Sequence, residues 1–248
     1  MRRILGALLT VIILAAIGVG VITTLGAAGV QRPAATAQTT GATADGIKQV
    51  SLYLQTYPMN PYEDPDFIAK NVTGKTLHGE PYPQKEGDNA DWVTYWPTTD
   101  LVVPRNAIVT VTIENYDGQT PLINPYYGVP RGVTDQNGVL NNTILVDGQT
   151  VTSVDPNTIS HTFTIHSIPQ SGQAWLFVSV PVTGEADDAQ TDAAGMPLQP
   201  VVTQFSFKTP DRPGKYIWQC FDPCGSGFNG FGGPMGTKGY MSGTLTVA

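Results

Sequence analysis

SHTFTIHSI, residues 160–168, is the stretch that decides how this chain folds. Side chains along a strand alternate between faces, so His161, Phe163 and Ile165 share one side while Thr162, Thr164 and His166 share the other. β-branched and aromatic residues of this kind suit a pleated, half-buried surface. The texture recurs in both directions: QVSLYLQ (49–55), DWVTYW (91–96), AIVTVTIEN (107–115) and NTILVDG (142–148) before it, then AWLFVSV (174–180), VVTQFSFK (201–208), KYIWQC (215–220) and SGTLTVA (242–248) after it. Gly, Pro, Asn and Asp punctuate these runs, and no stretch after the N-terminal segment has helical periodicity. The pattern predicts an all-β domain, a β-sandwich of about eight strands with Greek-key links.

Composition agrees. Of 248 residues 13% are charged, while 27 are Gly and 20 are Pro, which suits strands joined by long ordered loops. The formal charge is −7, and two of its cations are Arg2 and Arg3. Without them, 11 basic residues face 20 acidic ones. A body of that sign has no electrostatic reason to bind nucleic acid or an anionic lipid surface.

Residues 4–22, ILGALLTVIILAAIGVGVI, form an uncharged run directly after the two arginines. At about 1.5 Å per residue it spans a hydrocarbon core of ~30 Å. The arginines hold that end in the cytoplasm, so a single-pass anchor in the cell membrane with an extracytoplasmic C-terminal domain is expected. The rival reading is a cleaved signal segment, with ATA (35–37) as the processing site. The expected organisation is an anchor or signal segment over 1–30, a small, polar, flexible linker over 31–46, and the β-domain over 47–248. Excursions are expected near 57–90 and 181–200.

The chain holds two cysteines, Cys220 and Cys224, in CFDPCGSGF, residues 220–228. Thiols at this spacing in an exported domain can clamp copper, close a small disulfide, or supply half a zinc site. Zinc is poorest in ligands, because only one histidine lies well placed. The sequence holds no Gly-x-Ser-x-Gly, His-x-His or histidine cluster that would support hydrolysis or multicopper oxidation.

The C-terminal block resembles the copper-binding end of cupredoxins, and most closely the dinuclear copper (CuA) domain of haem–copper (cytochrome c) oxidase subunit II. The residues that carry this are His161 on an earlier strand, the turn Pro213-Gly214, Tyr216, Trp218 and Cys220 in a Tyr-x-aromatic-x-Cys strand, Cys224-Gly225, and Met241 with Gly243 opening the last strand. The resemblance implies a cupredoxin-like fold and a copper centre held by His161, Cys220, Cys224 and Met241. It also implies electron transfer, as a non-catalytic subunit beside a redox protein or oxidase subunit. The chain departs from the pattern at Phe228, where the family has its second histidine, and in the insertion at 229–240, where Met235 is a spare thioether. The alternative reading is a metal-free cupredoxin-like structural or interaction module with a Cys220–Cys224 disulfide, in which Phe228 fills the vacated volume.

Overall fold

In the computed structural model, which describes residues 33–57, 92–122, 124–168, 172–191, 197–225 and 232–248, the alternating runs are strands. In chain order they are β1 (Ala35–Thr36), β2 (Gln38–Ala42), β3 (Lys48–Tyr57), β4 (Thr94–Trp96), β5 (Asp100–Val103), β6 (Ala107–Asn115), β7 (Ile144–Val146), β8 (Gln149–Val151), β9 (Ile159–Ser167), β10 (Phe177–Thr183), β11 (Val201–Lys208), β12 (Gly214–Gln219) and β13 (Ser242–Val247). They form two sheets. One has the order β1-β5-β13-β12-β9-β10; the other runs β2-β3-β6-β11-β7-β8, with β4 beside β3. Both are mixed: β5 runs parallel to β13, and β3 parallel to β6, while most other pairs are antiparallel. Parallel neighbours cannot be joined by a hairpin, so the chain must cross between sheets to make them.

The two sheets meet over the alternating apolar faces. Phe163 of β9 stacks on Trp218 of β12 at 4.7 Å, and Tyr95 meets Trp218 edge-on at 4.9 Å. Phe205 of the facing sheet lies 5.8 Å from Phe163. Such ring pairs add about 0.5–1.5 kcal/mol each beyond the area they bury. The Trp218 indole N–H donates to the Thr99 carbonyl at 2.8 Å, so this large buried ring has its polar atom satisfied.

Several expectations change in detail. The stretch read as a free linker carries β1 and β2, which pair with β5 and β3. Beyond Ala35 and Ala37, which pack against the core, its small polar residues are short edge-strand pieces with no apolar periodicity to read. Thr162 and Thr164, on the face opposite the core, are also fully buried. The loop after β12 lies over that face, where Phe221 donates its N–H to Thr162 Oγ1 at 2.7 Å and stacks its ring on His166. The excursion read at 57–90 lies almost wholly outside the described residues, as does the anchor segment. Among the described residues no helix is long and apolar enough to cross a membrane.

Candidate metal centre

Three predicted ligands meet at one end of the first sheet. His161 enters from β9, and Cys220 follows β12, the strand paired to β9 from Tyr216 opposite Ser167 to Gln219 opposite Thr164. The Cys220 N–H continues the ladder on the other side, donating to the Met241 carbonyl at 2.9 Å. Strand register thus fixes one sulfur. The other is placed by the loop: Cys224 sits beside Gly225, whose φ of +64° favours glycine, and a Cβ there would come within 2.6 Å of Pro234.

The ligand atoms of His161, Cys220 and Cys224 lie within 4.8 Å of one another, and all three residues are buried. His161 Nδ1 is 3.1 Å from Cys224 Sγ, and the two sulfurs are 3.5 Å apart as free thiols. A metal bound tetrahedrally at ~2.3 Å to sulfur and ~2.0 Å to nitrogen holds such atoms roughly 3.5–3.8 Å apart. The His161–Cys224 and Cys220–Cys224 pairs lie close to these separations, so the cluster could hold an ion. Soft thiolates with one imidazole can hold a thiophilic transition metal.

The surroundings were not visible in the sequence. His161 Nε2 is 2.8 Å from Asp117 Oδ2, a residue 44 positions upstream on the turn after β6. Asp117 is held in turn, its N–H donating to Asn115 Oδ1 and its own Oδ1 accepting from Gly118 N–H. A carboxylate on the far nitrogen fixes the imidazole's orientation and tautomer and makes it a better ligand. The Asp222 carbonyl lies 3.3 Å from Cys220 Sγ and 3.0 Å from Cys224 Sγ, so a hard oxygen donor faces both sulfurs. Cys220 Sγ accepts from the N–H groups of Thr162 (3.4 Å) and Asp222 (3.3 Å).

Of the two candidate thioethers, Met235 has a direct link to the cluster: its Sδ accepts from Cys224 N–H at 3.5 Å. Met241 is wholly buried in the core and meets the cluster through its backbone carbonyl. His166 takes no part and stacks instead on Phe221 at 5.8 Å. Phe228 lies outside the described residues.

Electrostatics follow from this packing. Burial alone would hold the His161 pKa down, but the hydrogen bond to Asp117, followed by the nearby sulfur, outweighs it and pushes the pKa up to about 10. The two thiols titrate as a unit. Burial opposes ionisation of Cys220, yet hydrogen bonding from Cys224 and then from His161 draws its pKa well below the ordinary thiol range. Cys224 is driven far up, first by its hydrogen bond to Cys220 and then by burial. Burial also raises the Asp222 carboxyl to about 7, helped by the charge on Cys220. No protein-family model, curated protein or solved structure matches this chain.

Proposed function

We propose that this chain is a membrane-anchored, extracytoplasmic copper-binding electron-transfer protein whose domain is a cupredoxin-like sandwich. The observation that carries this reading is the buried convergence of His161, Cys220 and Cys224. Copper is favoured over zinc because the donors are two thiolates, one imidazole and a nearby thioether, a set that suits the softer ion. His161 and the cysteines would hold the metal, with Met235, Met241 and the Asp222 carbonyl as candidates for the remaining positions. Bound there, the metal would supply one-electron redox chemistry. The protein's part is to keep the ligands in place on a stiff sheet, exclude water, and fix the imidazole through Asp117. The N-terminal apolar run supports the anchor, and the resemblance to oxidase subunit II supports a redox partner at the membrane.

One observation favours a second reading. Two free sulfurs 3.5 Å apart can close to a disulfide, giving a metal-free structural module. A single preparation separates the two. The reduced chain, loaded with copper under argon and then mildly oxidised, should show intense thiolate-to-copper charge-transfer bands, with two alkylatable thiols per chain before loading. A reduced, folded chain that stays colourless with copper would remove the electron-transfer reading. A purified chain with no free thiols supports the module.

A further inference from the structure

The cluster is buried, with His161 1%, Cys220 0% and Cys224 6% exposed, so any electron exchanged with it must pass through protein. Among the described residues three aromatic side chains are at least a third exposed: Tyr53, Tyr126 and Trp175. Trp175, at 78%, is the most open, but it sits at the wrong end of the sheet. Its neighbour Leu176 donates its N–H to Ser167 Oγ, and Ser167 is six residues along β9 from His161, about 20 Å at ~3.3 Å per residue. Tyr53 belongs to β3 in the other sheet.

Tyr126 is different. Its ring packs edge-on against Tyr127 with centroids 5.2 Å apart, and Tyr127 stacks on Phe221 at 5.4 Å with the planes 28° apart. Phe221 is bonded to Cys220, and its N–H donates to Thr162 Oγ1 at 2.7 Å, which pins the ring's backbone to β9. An unbroken run of ring contacts and one peptide link thus joins an exposed ring to a ligand sulfur. Electron tunnelling falls exponentially with distance and fastest across gaps, so a contiguous π-path dominates over longer or broken ones. At the outer end the Arg131 guanidinium carbon lies 3.9 Å above the Tyr126 ring. Its Nε is buried without a hydrogen-bond partner, and among the described residues no carboxylate pairs with it. In a body with 11 cations against 20 anions, this face carries an unneutralised positive charge.

We propose that Tyr126, Tyr127 and Phe221 form the electron port of the centre, and that the port docks a one-electron carrier whose exposed redox edge is rimmed by carboxylates. This rests on the copper reading. With copper bound, the centre would accept one electron, which Tyr127 and Phe221 would carry inward from the reduced carrier. The carrier is oxidised by one electron and the centre reduced by one; no bond forms and no proton moves. Arg131 supplies the complementary charge that orients the encounter.

The test uses the full chain in two states. Loaded with copper, it is reduced by ferrocyanide, an anion, and by hexaammineruthenium(II), a cation, in a stopped-flow instrument. Tyr127→Leu and Phe221→Leu should slow both reactions several-fold while leaving the charge-transfer spectrum and melting temperature near wild type. Tyr127→Phe, which keeps the stack, should restore the rate, and Trp175→Phe should change nothing. Arg131→Gln should slow ferrocyanide alone. Wild-type rates in both leucine variants, or a slow Trp175→Phe, would overturn the port. In the metal-free chain, the redox-inert anion hexacyanochromate(III) should broaden the amide resonances of Tyr126, Tyr127, Gly128, Val129 and Arg131, and Arg131→Gln should abolish the effect. Sharp amides there would overturn the docking face whether or not copper binds. A chain that takes up no copper counts against the centre itself.

Discussion

In the metal-free chain Asp117 and the sulfurs keep His161 protonated up to about pH 10, while one thiol of the pair ionises early and the other stays protonated. The raised imidazole contributes stability that is complete below its unfolded pKa of ~6.5 and is lost as pH climbs through about 10. The depressed thiol has the opposite sign: its contribution is complete above the unfolded thiol value of ~8.5 and is lost as pH falls through the folded one. The two contributions have opposite signs, so the stability from these groups should fall as pH climbs from ~8.5 toward about 10 and should fall again in acid as the thiolate is protonated. Urea unfolding across both limbs checks it, and a steady slope assigned to His161 by a His161→Gln control would show that the imidazolium–thiolate pair does not form. Asp117→Asn removes a charged hydrogen-bond partner and should cost about 1.5–3 kcal/mol. It should also lower the His161 pKa in an NMR titration, because burial then acts with less opposition. An unchanged titration would mean that the Asp117 contact seen at 2.8 Å does not set the charge of the ring.

At the scale of elements, strand β13 closes against Thr99 so tightly that a Cβ on Gly243 would fall 1.9 Å from the Thr99 carbonyl oxygen. That same oxygen accepts from Trp218 Nε1 and from Thr244 N–H. Gly243→Ala must therefore push apart two strands and the largest core ring, at a cost of about 3 kcal/mol or more. Gly236→Ala, with open space around its Cβ position, is the control and should be close to neutral. Equal melting temperatures for the two variants would contradict the packing. The helical turn Gly233–Gly236 carries Met235 against Cys224, so Met235→Leu should weaken copper binding more than it weakens the metal-free fold. Met241→Leu, in the core, should be nearly neutral to stability because the volumes are similar. The strands that were legible in sequence, β6, β9 and β11 above all, are those whose alternation has an apolar face to bury. Strands β1, β2 and β8 were not, because edge strands of two to five residues, with Ala35 and Val151 as their core contacts, are too short to show an alternation. The cluster was legible in part for the same reason. His161 and Cys220 are placed by strand register, which alternation encodes, whereas Asp117 and the Asp222 carbonyl are brought in by turns whose tertiary partners have no signature in sequence.

For the whole molecule, the same two sulfurs can serve a metal or a disulfide but not both, and that exclusivity makes thermal stability a readout of function. A metal that binds the folded state alone stabilises it by RT ln(1 + [L]/Kd), about 4 kcal/mol at a thousandfold excess over Kd. For a body of this size each kcal/mol moves the midpoint by ~2–4 °C, so saturating Cu(I) should raise the melting temperature of the reduced chain by roughly 8–16 °C. An ion bound there would also displace the His161 proton and the proton on the second thiol, so near neutral pH binding should release two protons per metal and tighten as pH rises. Calorimetric titrations in buffers of different protonation enthalpy count them. In the oxidised chain the gain should vanish, because the disulfide leaves one imidazole and a thioether, too few donors to hold the ion. The disulfide itself closes a loop of only five residues, from Cys220 to Cys224, and removes little chain entropy from the unfolded state, so its own stabilisation should be small. The two forms therefore differ in their response to copper more than in their stability without it. If the reduced and oxidised chains gain equally from copper, the metal binds elsewhere and the buried cluster is a packed dithiol.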